Sequence, residues 1–243
     1  MVIPAANQRA LVQNGVMLSA IPFAIMIQNS VSTTPAERLG EAWWRQRHEA
    51  CVELTKRGDI DVVFLGDSIT QGWEGAGKAE WQKHFAPLKA ANFGFSGDRT
   101  EHVLWRLNNG EMTGLNAKAV VMMIGTNNIG HGSSNSAQTA EGIRAIISKL
   151  KSGLPKAKIL LLAVFPRAEK PTDGPRVAVQ QINDIISKMD DGHRVHYLDI
   201  GPHFVRQDGT LRTMLMPDLL HLNEGGYEIW AKAILPSLHK LLH

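Results

Sequence analysis

VVFLGDSITQGW, residues 62–73, runs four apolar residues straight into Gly-Asp-Ser-Ile-Thr. An uninterrupted apolar run rich in β-branched and aromatic side chains reads as a strand covered on both faces, since a half-exposed strand would alternate with polar residues. What ends the strand is ambiguous by itself. Gly66-Asp67-Ser68 is ordinary turn and helix-cap chemistry, and it is also a way to present a hydroxyl at a strand's carboxyl end.

Working outward, the same kind of apolar run recurs at 89–97, 118–127, 157–166 and 194–201, with the first extending over 60–67. Segments of helical periodicity lie between them at 36–57, 99–109, 137–152 and 176–190, and 223–242 closes the chain. Strands alternating with helices imply βα units and a parallel sheet. The expected fold is therefore α/β: a three-layer α/β/α, flavodoxin-like domain with a five-stranded parallel sheet, over residues 36–243. Strand order 2-1-3-4-5 is assumed, and it would place the first strand between the second and third.

The chain has 243 residues, 44% hydrophobic and 20% charged, with a net charge of +3. That suits one domain, and the scattered Lys and Arg form no nucleic-acid footprint. One cysteine, Cys51, excludes a disulfide framework and reads as a buried small hydrophobe. Residues 1–35 form an extension in which Arg9 is the only charge, with an apolar run at 16–27. The run is too short to span a bilayer. Together with Ser30-Val31-Ser32 it fits either a signal peptide over 1–32 or a packing arm, so cytoplasmic and exported locations both stay open. An arm of that kind also leaves a homo-oligomer open.

Ligands of open parallel sheets bind beyond the carboxyl ends of the strands, where strand order reverses. The residues there are Gly66-Asp67-Ser68, Ser96-Gly97-Asp98, Gly125-Thr126-Asn127-Asn128 and, further on, Asp218-Leu219-Leu220-His221. A serine hydroxyl needs a base, and the base needs an orienting partner. The three-residue spacing of Asp218 and His221 lets both side chains share one face of a turn. An oxyanion would then find donors in the Ser68 and Gly97 backbone N–H groups and the Asn127 amide. Simpler roles compete for each residue. Ser68 could cap a helix, Gly97 supply only a positive φ, Asn127 cap the following helix, and Asp218 with His221 form a surface pair.

GDSIT, the glycine of NFGFSGD, the asparagine of GTNN and the terminal Asp-x-x-His together resemble the four blocks of the GDSL/SGNH hydrolase family. The resemblance spans residues 41–242. Within that family, NFGFSGDRTEHVLWRLNNGEM, VVMMIGTNNIGH and GGYEIWA are most similar to platelet-activating factor acetylhydrolase Ib catalytic subunits and their bacterial acetylesterase relatives. The resemblance implies a serine esterase with the triad Ser68, Asp218 and His221 and the oxyanion donors Ser68, Gly97 and Asn127. It implies no cofactor and no metal, and a small-molecule ester as substrate. Short loops after the first three strands imply a shallow cleft suited to acetyl groups. A lysophospholipase, a thioesterase or a non-catalytic carbohydrate- or partner-binding module are the alternatives.

Other candidates rank lower. Asp199 and His203 have the wrong spacing for the last block and read as structural or rim residues, while His131 is placed near the cleft. His193 and His196 would face opposite sides of a strand, which argues against a metal site. Trp73 reads equally as an acyl-pocket wall or a core aromatic; Trp43, Trp44 and Trp81 read as packing. GWEGAGKA, 72–79, lacks the hydroxyl residue of a phosphate-binding loop, and no Gly-x-Ser-x-Gly elbow occurs.

Overall fold

The computed structural model describes residues 30–243; the apolar run at 16–27 lies outside them. Five parallel strands, β1 (Val62–Gly66), β2 (Ala90–Gly94), β3 (Ala119–Met123), β4 (Lys158–Leu162) and β5 (Val195–Leu198), pair in the order β2-β1-β3-β4-β5. The expected order is the observed one. β1 sits between β2 and β3, with Gly66 level with Gly94 on one side and Met123 on the other.

Helices cover both faces. Val63 and Leu65 of β1 point into a core shared with Trp44 and Cys51 of α1 (Ala42–Arg57), Val103 and Leu107 of α4 (Thr100–Asn108), Ile143 and Ile147 of α6 (Ser136–Gly153), and Ile182 of α7 (Gly174–Ile186). Val62 and Phe64 point the other way, against Trp73, Phe85 and the Trp230–Leu238 face of α8 (Glu224–Leu242). Trp73 is thus a core residue, 1% exposed, in contact with Phe64, Phe85, Tyr227 and Trp230. Cys51 is buried too, and burial pushes its thiol up to about 12, so it acts as a hydrophobe.

One part of the chain differs from expectation, and another carries helical turns where the sequence shows no periodicity. Residues 36–41 do not continue α1 towards the amino terminus; helix begins at Ala42, because Arg38 folds back to pair with Glu41 and with the loop after β2. Residues 68–88 fold into short turns of helix: α2 (Ser68–Gln71), α3 (Lys78–Glu80) and single turns around them. Upstream, Ser32 is fully buried, donates to the Ser134 hydroxyl and accepts from Thr100 Oγ1 through its carbonyl. Residues 30–34 therefore pack onto the domain between α4 and α6.

The end of β2 lies hard against α2. A Cβ at Gly94 would lie 2.6 Å from the Thr70 carbonyl carbon and closer still to the Gln71 amide nitrogen. Neither is the free end of a flexible side chain, so backbone would have to move. Gly94→Ala is expected to cost about 3 kcal/mol of stability, read as a lower midpoint in chemical denaturation. A variant as stable as the parent would mean that α2 shifts freely.

Candidate active site

Asp67 leaves β1 and becomes the N-cap of α2, its Oδ1 accepting from the Ile69 N–H at 3.0 Å. That cap turns Ser68, the first helical residue, out of the sheet. Two further bonds brace the turn: the Tyr227 hydroxyl donates to the Ile69 carbonyl at 2.6 Å, and the Asn92 amide donates to the Thr70 carbonyl at 3.1 Å. So Ser68 is at once inside a capped helical turn and turned towards another loop; capping is the work of Asp67.

That other loop carries Asp218 and His221. Ser68 Oγ is 2.9 Å from His221 Nε2, and His221 Nδ1 is 2.6 Å from Asp218 Oδ2. A carboxylate can only accept, so Nδ1 carries the proton, and Nε2 accepts from the Ser68 hydroxyl. The other carboxylate oxygen, Asp218 Oδ1, takes the backbone N–H groups of Leu220 and His221 at 3.0 and 2.7 Å, a turn closed by Leu219 at φ 64°. Partial burial works against ionisation of Asp218, but the hydrogen bonds from His221 and Leu220 outweigh it and hold the carboxyl below its usual range. The next residues anchor the loop: Asn223 caps α8 by accepting from the Gly226 N–H and donates to the Met214 carbonyl. The Asp218 and His221 side chains stay 56% and 42% exposed, so the pair faces open solvent.

The loops after β2 and β3 meet each other, and the first of them meets α2. Gly97 has φ 74°, a left-handed conformation that glycine takes without strain. Neither the Ser68 nor the Gly97 N–H has a hydrogen-bond acceptor among the described residues. Asn127 is the second residue of α5 (Thr126–Gly130) and caps nothing; its Nδ2 donates to the Asp98 carbonyl at 2.9 Å. One of its two amide hydrogens is thereby used to fix the side chain, and the second is spare. Gln71 Oε1 accepts from the Ser96 N–H at 2.7 Å, and Asn128 Oδ1 from the Thr100 N–H at 3.1 Å. These bonds lock the three loops to one another.

Beneath them runs a buried chain of alternating charge that spacing does not reveal. Asp98, fully buried, accepts from Arg106 Nε at 2.8 Å, Trp44 Nε1 at 2.8 Å and Arg38 Nη1 at 2.9 Å. Arg106 also pairs with Glu111, which meets His48 Nδ1 at 3.0 Å. Asp67 is buried as well. Burial is the main cause pushing its carboxyl up to about 7, against the pull of the Ile69 N–H and His221.

The other candidates do not join the hydrogen-bonded line from Ser68 to Asp218, although the His131 N–H donates to the Asn127 carbonyl at 2.9 Å. His131 is exposed, Asp199 closes a turn by accepting from the Gly201 N–H, and His203 is on the surface. No group of three or more His, Cys, Asp or Glu suited to a metal occurs among the described residues. A cavity of about 830 Å³ opens at the opposite, amino-terminal ends of β3, β4 and β5, among Lys118, Lys158, His196 and Lys240, away from the motif residues.

Comparison with known proteins gives the chain's relatives. Residues 64–229 match the model of the GDSL-like lipase/acylhydrolase family. Human platelet-activating factor acetylhydrolase IB subunit alpha1 is 38% identical over 212 residues, covering 86% of this chain and 89% of that protein. The rat alpha2 subunit is 38% identical over 205 residues, with 84% and 85% covered. Among solved structures, a GDSL-like lipase from Bacteroides thetaiotaomicron superposes with TM-score 0.67 at 22% identity, covering 82% of this chain and 97% of that one. An acetylxylan esterase from Geobacillus stearothermophilus gives 0.59 at 18%, covering 73% and 93%. At those identities the structures speak for the fold alone.

Proposed function

The chain belongs to the GDSL-like lipase/acylhydrolase family and is a carboxylic ester hydrolase, and from that premise we propose that it removes short, acetyl-type acyl groups through an acyl-enzyme formed on Ser68. The observation that carries this is the unbroken line of hydrogen bonds from Ser68 Oγ through His221 to Asp218. As the hydroxyl attacks the ester carbonyl, His221 Nε2 takes its proton, and Asp218 stabilises the imidazolium. The carbonyl oxygen, now an oxyanion, is received by the N–H groups of Ser68 and Gly97 and the spare amide hydrogen of Asn127. His221 then protonates the leaving alcohol. Water, deprotonated by the same imidazole, attacks the acyl-enzyme and frees Ser68.

The preference for a small acyl group is supported by the short loops after β1, β2 and β3 and by the exposure of His221 and Asp218, which leave little enclosed surface to hold a long chain. Similarity to the platelet-activating factor acetylhydrolase subunits supports the same acyl half. Across p-nitrophenyl esters, kcat/KM is expected to fall by at least about tenfold from acetate to octanoate, since added methylenes gain no pocket. Faster turnover of the octanoate would refute the acetyl preference. Parallel assays on acetylated xylan, acetylated sugars, a lysophospholipid and an acyl thioester identify the leaving group; turnover of none, with an inert Ser68, would instead favour a binding module.

A further inference from the structure

We propose that Arg38, which lies outside the four sequence blocks, is a positioning residue that aims and polarises the Gly97 N–H. The inference rests on the reading above, in which that N–H receives the oxyanion. Its basis is the peptide bond that joins Ser96 to Gly97. Arg38 Nη1 donates to the Ser96 carbonyl at 2.8 Å and to Asp98 Oδ1 at 2.9 Å. The Ser96 carbonyl and the Gly97 N–H are the two ends of one planar trans peptide and point in opposite directions. A cation fixed on the carbonyl therefore sets the direction of the N–H. It also draws electron density towards the oxygen, which makes the N–H a stronger donor.

The guanidinium is itself held in place. Its Nε and Nη2 form a two-pronged pair with Glu41 at 2.9 Å each, and the group stacks 5.3 Å from the centre of the Trp43 ring. It lies flat against Gly97: a Cβ there would be 3.3 Å from both terminal nitrogens. Gly97 thus needs to be glycine for its φ and for this close neighbour. The Arg38 side chain is only 17% exposed. Asp98 keeps Arg106 and Trp44 when Arg38 is removed, so the loss leaves no unpaired buried carboxylate and the fold has reason to survive.

The test compares Arg38→Met and Arg38→Lys with the parent, active sites being counted by organophosphate titration so that any unfolded fraction drops out. Misaiming one oxyanion donor is expected to lower kcat by roughly 10- to 100-fold for the methionine variant, with KM within about twofold. Inhibition by a trifluoromethyl ketone should weaken in parallel with kcat/KM, and millimolar guanidinium should restore part of kcat. Arg38→Lys, which keeps the charge without the fork, should fall between. A methionine variant with the parent's kcat overturns the proposal, as does one that loses kcat while keeping its affinity for the ketone. Should the methionine variant fail to fold, a lysine variant with unchanged kcat overturns it equally. If Ser68→Ala stays active, it is the parent reading that fails; if Ser68→Ala is inert and Arg38→Met is fully active, only this inference does.

Discussion

Ser68→Ala is expected to lower kcat by about 10⁵- to 10⁶-fold on any ester the enzyme accepts, the loss typical of removing the nucleophile from a serine triad. Stoichiometric labelling by an organophosphate should vanish with it. The fold should not change, since the cap of α2 is the Asp67 carboxylate and its brace is the Tyr227 hydroxyl, neither of which involves the Ser68 side chain. Circular dichroism and the thermal midpoint therefore serve as the control. A folded Ser68→Ala protein that still turns over p-nitrophenyl acetate, or still takes the label, would remove Ser68 from the mechanism.

Asp218→Asn is expected to cost about 10⁴-fold in kcat, the size of the effect when an imidazole is held in the wrong tautomer. The local hydrogen bonds say why no rearrangement rescues it. Oδ1 receives two backbone N–H groups, from Leu220 and His221, so an asparagine must keep its oxygen there and turn its NH2 towards His221 Nδ1. That nitrogen must then accept, which puts the ring proton on Nε2, facing Ser68, where a base is needed. Flipping the amide would set NH2 against two N–H donors. Because the Asp218 carboxyl is held below its ordinary value, it stays ionised as pH falls through the usual carboxylate range, and its contribution is lost only lower still. Stopped-flow measurement of p-nitrophenol release would check the prediction. A loss of less than about tenfold would mean that the carboxylate does not set the tautomer.

The sheet was legible because β1, β3 and β4 are near-continuous apolar runs, with Asn92 and His196 the polar interruptions of β2 and β5, yet every strand is shorter than its run. Phe95, Ile124 and Phe165 lie past the last paired residue of β2, β3 and β4 and are still buried. Hydrophobicity reports burial, and burial continues into the site loops after pairing has stopped. The short helix that carries Ser68 left no periodic trace, since one turn is too brief to show a period. The four site blocks stood out because each ends a strand or opens the last helix. Arg38, Arg106 and Glu111 did not: buried charge has no pattern of its own in a sequence, and Arg38 meets its partner Asp98 across a long stretch of chain. Residues 36–41 looked helical for the same reason, as the tertiary pairing that keeps them out of α1 is invisible locally.

The buried line of Asp98, Arg106 and Glu111, flanked by Arg38 and His48, has a consequence for anyone reshaping this enzyme. The three inner members, Asp98, Arg106 and Glu111, are neutralised by one another, so changing one of them strands a charge in a dry interior at a cost of several kcal/mol. Energies of such contacting groups do not add. Directed evolution that samples one position at a time will therefore find the middle of this line closed, whereas exchanging Asp98, Arg106 and Glu111 together for apolar residues of matched volume opens a route that single steps never reach.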